Sequence, residues 1–226
     1  MNRFFTLDMP FWRFAGNTLI ISCLSLAPLL LLYITLAPGF ITMLSEGGPA
    51  LSRFLRQVIT NGLPVVFVVN YISFFLYALM SDRRRAPRMP ALILLLDPPA
   101  RIIIFVVLHG VIYFLSADWF GSFGGDHWQA LRVVAPTLVR SAYFENLSGV
   151  YLYATLVSAL PLYTAAFARV QDENPENAAM LRRCINFLPG NLGQAVGRVV
   201  IALILFAISA SLLTGLAALI VWLQRS

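Results

Sequence analysis

The chain has 226 residues, of which 59% are hydrophobic, 13% aromatic and only 12% charged. A soluble domain carries about twice that share of charge, so an ordinary water-soluble enzyme, a disordered tail and a disulfide scaffold are excluded. The net charge of +6 comes entirely from arginine, since there is no lysine to serve as a Schiff base, a phosphate-loop cation or a catalytic base.

The composition predicts an all-α integral membrane protein, residues 1–226 forming one multi-pass domain. Five stretches approach the roughly 20 apolar residues that a bilayer crossing needs. The first spans about 17–37 and carries no charge. It is too long for the apolar core of a signal peptide and reads as a retained anchor. Before it, Phe4, Phe5, Phe11, Trp12 and Phe14 stand beside Arg3 and Arg13, the composition of a segment lying in the membrane interface.

Leu51, Phe54, Leu55 and Val58 recur at helical spacing opposite Arg53, Arg56 and Gln57. They predict an amphipathic interfacial helix over about 49–60. The Asn61-Gly62-Leu63-Pro64 run separates it from the second span, about 63–80. After the arginine cluster at 83–85, residues 91–96 are apolar but too short to cross, and read as an elbow against the membrane. The third span, about 98–117, starts with Asp97 as N-cap and Pro98 as first helical residue.

A glycine-rich turn precedes Asp126, which with Gln129 resembles a capping box. From there Trp128, Leu131, Ala135, Leu138 and Ala142 form the apolar stripe of a second interfacial helix, about 126–145, bent at Pro136. The fourth span covers about 147–168 with a kink at Pro161, and the fifth about 199–223. Within the fifth, Ala207, Ser211 and Gly215 repeat every four residues and form a candidate helix-packing face.

With the N-terminus inside, inner segments hold eleven arginines, Arg101 among them, and outer segments five. The positive-inside rule then predicts a cytoplasmic N-terminus and a periplasmic C-terminus. Arginine-only basicity points to the cytoplasmic (inner) membrane of a bacterium with a GC-rich genome. The basic residues beside the spans are topology signals and headgroup contacts, so the lipid bilayer is the expected partner and nucleic acid is not.

Chemistry is sparse. Asn70, His109 and Tyr113 are the candidate intramembrane polar site, because an ionisable group at bilayer depth is a functional hypothesis by default. Tyr151, Tyr153, Thr155, Ser158, Tyr163 and Thr164 supply further hydroxyls, equally suited to bonds between helices. No carboxylate is expected inside a span, which counts against an ion-coupled carrier. His127 lies about 27 Å from His109 if helix connects them, too far to share one haem. The cysteines, Cys23 and Cys184, form no CxxC pair, and no clustered metal ligands, nucleophile motif or nucleotide loop occurs. No catalytic residue, metal or cofactor is therefore expected.

These features favour a non-catalytic accessory, assembly or scaffolding subunit of a larger membrane complex; the expected protein partners are other membrane subunits or, outside that reading, copies of the chain itself. The alternatives are a small-solute permease or channel lined around Asn70 and His109, and a quinone or redox role centred on His109 and Tyr113.

Overall fold

The computed structural model describes residues 4–36, 39–45, 48–81 and 90–164, with Val200, Ile204 and Ile208. Apart from those last three residues, the fifth apolar stretch lies outside these, as do its Ala207, Ser211 and Gly215 face and Cys184. Every described element is helical: α1 (Phe11–Leu36), α2 (Phe40–Ser45), α3 (Pro49–Gln57), α4 (Leu63–Ser81), α5 (Pro90–Phe120), α6 (His127–Ala142) and α7 (Leu147–Val157). Four helical stretches are long and apolar enough to cross a membrane: Phe11–Leu36, Pro49–Met80, Leu96–Phe120 and Leu147–Thr164. Outward-facing Leu24, Leu31 and Ile103 are more than 60% exposed, as suits helices whose outer faces meet hydrocarbon rather than water.

Helix α7 is the hub. It packs against α1, α4, α5 and α6, while α4 joins α1 to α5. Two apolar clusters result. One gathers Leu26, Phe54, Val66, Val69, Phe105, Val150 and Tyr151. The other gathers Phe5, Phe14, Phe74, Tyr77, Ala159 and Leu162. Phe5 and Phe14 are thus core residues rather than interfacial ones: Phe5 stacks on Phe74 at 4.2 Å and meets Phe14 edge-on at 5.1 Å. Phe4, Phe11 and Trp12 remain exposed. Aromatic composition alone could not separate these two groups, because Phe5 finds its cover on α4, some 70 positions along the chain.

Two expected helix boundaries are absent. The Asn61-Gly62-Leu63-Pro64 run does not break the chain. Residues Val58–Gly62 form one π-helical turn that carries α3 directly into α4. Gly62 sits there because ring carbons of buried Tyr151 occupy the space that a Cβ would need. Gly62→Ala is expected to cost about 1–3 kcal/mol by overpacking. Thermal unfolding in detergent would measure it, and adding Tyr151→Leu should recover most of the loss.

The second absent boundary is at Asp97. Helix α5 begins at Pro90 and runs unbroken through Pro98 and Pro99, so 91–96 form its first turns rather than an elbow. Asp-Pro is a strong start signal, but here Asp97 lies within the helix and pairs with Arg101 one turn ahead.

The amphipathic helix α6 starts where expected. The Asp126 side chain accepts from the Trp128 and Gln129 amides and caps it. Its buried seam is Ala130, Val134, Ser141 and Ala142, rotated from the expected stripe, and Trp128 is 74% exposed. Small residues make the tight seam, while Leu131, Ala135 and Leu138 line an apolar crevice of about 490 Å³ against α5. The helix ends in a double-bonded reversal: the Phe144 amide donates to the Ser141 carbonyl and the Glu145 amide to that of Arg140. Glycine normally fills the left-handed position of this motif. Here Phe144 does, at φ 60°, its ring held between Tyr33 and Tyr153 at 5.7 Å each.

Candidate functional site

The two apolar clusters are separated by a polar layer built on Arg101. Asp97 and Arg101 are four residues apart on α5 and therefore share a helix face. Arg101 is fully buried and Asp97 is 8% exposed. The guanidinium Nε donates to Asp97 Oδ2 at 2.7 Å. Nη1 reaches Asn70 Oδ1 on α4 at 2.7 Å, the Thr155 carbonyl on α7 at 2.9 Å, and Ser158 Oγ at 3.2 Å. The Phe74 ring lies 5.1 Å from the guanidinium carbon, within cation–π range. Asn70 Nδ2 donates to Ser22 Oγ on α1 at 2.9 Å, and Ser22 donates to the Thr18 carbonyl at 2.8 Å. One arginine thus links α5, α4, α7 and, through Asn70, α1.

Proline makes one of these contacts possible. In a regular helix the Thr155 carbonyl would accept from the Ala159 amide. Pro161 cannot donate to Val157, and the helix loosens just before it, so the Ala159 amide bonds Leu156 instead at 3.1 Å. The Thr155 carbonyl is released to Arg101 and to Ser158 Oγ, which lies 2.6 Å away and also contacts Asn70 Oδ1. Pro161→Ala should let the Ala159 amide return to Thr155. Hydrogen–deuterium exchange should then slow over 159–162, and unchanged exchange would reject the link between the kink and the site.

Ser22 is eleven residues from Phe11 and Asn70 eleven from Ser81, whereas Arg101 is five residues from Leu96, where its candidate span begins. A buried charge is stable only when paired and hydrogen-bonded. Asp97, two further side-chain acceptors and a backbone carbonyl meet that need, although Arg101 Nη2 and the nearby Ser73 Oγ are buried without a partner.

One expectation about charge is corrected here: Arg101 is fully buried and is not a headgroup contact. Asp97 stands one residue from the end of the candidate span Leu96–Phe120, where it pairs with Arg101.

Of the polar residues picked from sequence, the structure brings Asn70, Thr155 and Ser158 together and leaves His109 and Tyr113 apart from them. His109 lies eight residues beyond Arg101 on α5. It is buried, its Nδ1–H donates to the Phe105 carbonyl at 3.1 Å, and its ring lies against Phe105 at 4.1 Å. Tyr113 is half-buried and stacks on Phe123 at 6.0 Å. Arg101 and Asp97 were missed as site residues, although their spacing of four within an apolar run was the available signal. His127 pairs with Asp118 at 2.8 Å, an exposed contact that ties the start of α6 to the end of α5. Among the described residues no group of three His, Cys, Asp or Glu side chains is placed to hold a metal.

The chain matches no family model, no curated protein and no solved structure.

Proposed function

We propose that this chain is a non-catalytic accessory, assembly or scaffolding subunit of a larger membrane complex. The observation that carries the reading is how the buried polar groups are used. Arg101, Asn70, Ser22 and Ser158 bond one another across four helices. A conducting or catalytic protein would present such groups to a solute. Used this way, they set the register of the bundle instead. The apolar outer faces of α1 and α5 supply contact surface for lipid or for neighbouring subunits.

The finer topology belongs to the same proposal: five spans in a bacterial cytoplasmic membrane, N-terminus inside and C-terminus outside, with 49–60 and 126–145 near the outer surface. The arginine bias supports it. Single cysteines introduced at Ser52 and Arg132 should react with an impermeant maleimide added outside intact cells, and one at Arg84 should not. The reverse pattern would overturn the orientation.

The proposed role is tested by extracting the tagged native protein in a gentle detergent, sizing it on native gels and identifying what travels with it. Stoichiometric, larger partners that persist through a second, orthogonal purification are expected. A lone monomer or a homo-oligomer would reject the accessory role.

A further inference from the structure

Between α4 and α5 lies a crevice of about 370 Å³, walled by Leu76, Met80, Leu96, Pro99 and Ile103. It is separate from the larger, wholly apolar crevice between α5 and α6. Ser73, Asp97 and the phenol-bearing Tyr77 interrupt its walls, and the first two matter here. Both are more than nine-tenths buried, and Ser73 Oγ has no hydrogen-bond partner. A buried hydroxyl left unpaired is costly. Asp97 gives Oδ2 to Arg101, and a carboxylate has a second oxygen able to accept. The crevice therefore offers a buried hydroxyl without a partner and a carboxylate acceptor among apolar walls.

We propose that this crevice binds an uncharged, hydroxyl-bearing amphiphile taken from the bilayer. A single hydroxyl serves both groups, accepting from Ser73 Oγ–H and donating to Asp97. Arg101 already balances the Asp97 charge, so a cationic head finds no net negative charge, and an anionic head meets the carboxylate. The apolar tail lies along Leu76, Met80 and Ile103. The volume falls within the ~300–1,000 Å³ usual for small-molecule sites. Long-chain glycerolipid alcohols and isoprenoid alcohols share this chemistry.

The test uses the full chain in phosphatidylcholine nanodiscs with a photoactivatable diazirine hexadecanol as probe. Its methyl ether, which accepts but cannot donate, is the control. The alcohol should label the α4 and α5 peptides at least about fivefold more than the ether, the value of one lost hydrogen bond. Excess unlabelled hexadecanol should compete. Ser73→Leu, which removes the hydroxyl and fills the slot, should abolish the labelling, and Ser73→Thr should keep it. Equal labelling by alcohol and ether, no competition, or full labelling of a well-folded Ser73→Leu protein would each overturn the proposal. If Ser73→Leu does not fold, the alcohol-to-ether comparison on the unaltered chain decides. Competition by a diacylglycerol against competition by an isoprenoid alcohol then identifies the source.

Discussion

Arg101→Met is expected to lower stability by about 3–5 kcal/mol, the cost of leaving a buried charge without its partner. The substitution keeps the apolar stem but strips Asp97 of its cation and leaves Asn70 and the Thr155 carbonyl short of a donor. Asp97→Leu combined with Arg101→Met should be far milder, because a buried ion pair replaced whole by apolar residues is often close to neutral. Unfolding in mixed micelles, followed by tryptophan fluorescence, measures the single and double variants on one scale. A double variant as unstable as the single one would mean that Arg101 acts through its bonds to α4 and α7 and not through Asp97. A neutral single variant would remove the arginine from the account of the fold altogether.

Gly149→Ala carries the second large effect. Asn146 caps α7 through the Gly149 amide at 2.9 Å while its amide nitrogen donates to the Thr137 carbonyl on α6. The two helices are therefore stitched at their closest approach. A Cβ on Gly149 would lie 2.5 Å from the Ser141 carbonyl oxygen and 3.1 Å from the Phe144 Cα. Both are backbone atoms, so no rotamer change relieves the contact. A loss of about 1–3 kcal/mol or more is expected, with α6 displaced from α7. Thermal unfolding gives the magnitude. Loss of the Tyr153 hydroxyl bond to the Ala142 carbonyl, now 2.6 Å, should appear as a shifted tyrosine signal. A Gly149→Ala protein that melts like the parent would show that the α6–α7 turn yields freely. By comparison Gly62→Ala meets only a side chain, and a second substitution can move that aside.

What was legible in the sequence follows from periods and compositions that act locally. The apolar lengths of α1, α4, α5 and α7, the Asp126 cap and the loosening of α7 before Pro161 each depend on neighbours within a turn or two. They were read without knowing where the helices go. What was not legible depends on which helix lies opposite. Asp97 carries the marks of a helix start, yet α5 continues past it through two prolines and Asp97 pairs with Arg101 one turn on. Phe5 resembles its neighbour Phe4 in composition, yet a stack on Phe74 buries one and leaves the other exposed.

The polar site divides along the same line. Asn70, Thr155 and Ser158 stood out as polar residues in apolar runs, so they could be picked from the sequence. That they converge on one guanidinium, while His109 turns to its own helix carbonyl, could not. In the sequence Arg101 is one of sixteen arginines, and its spacing of four from Asp97 marks a pairing but not its burial. The sequence by itself determined the helical class and where the long apolar stretches lie, because hydrophobic length and helical period need no partner; where the second and third helices begin it did not. The tertiary structure alone decided which charge lies inside, since a buried ion is tolerable only where several helices bring its acceptors to one point.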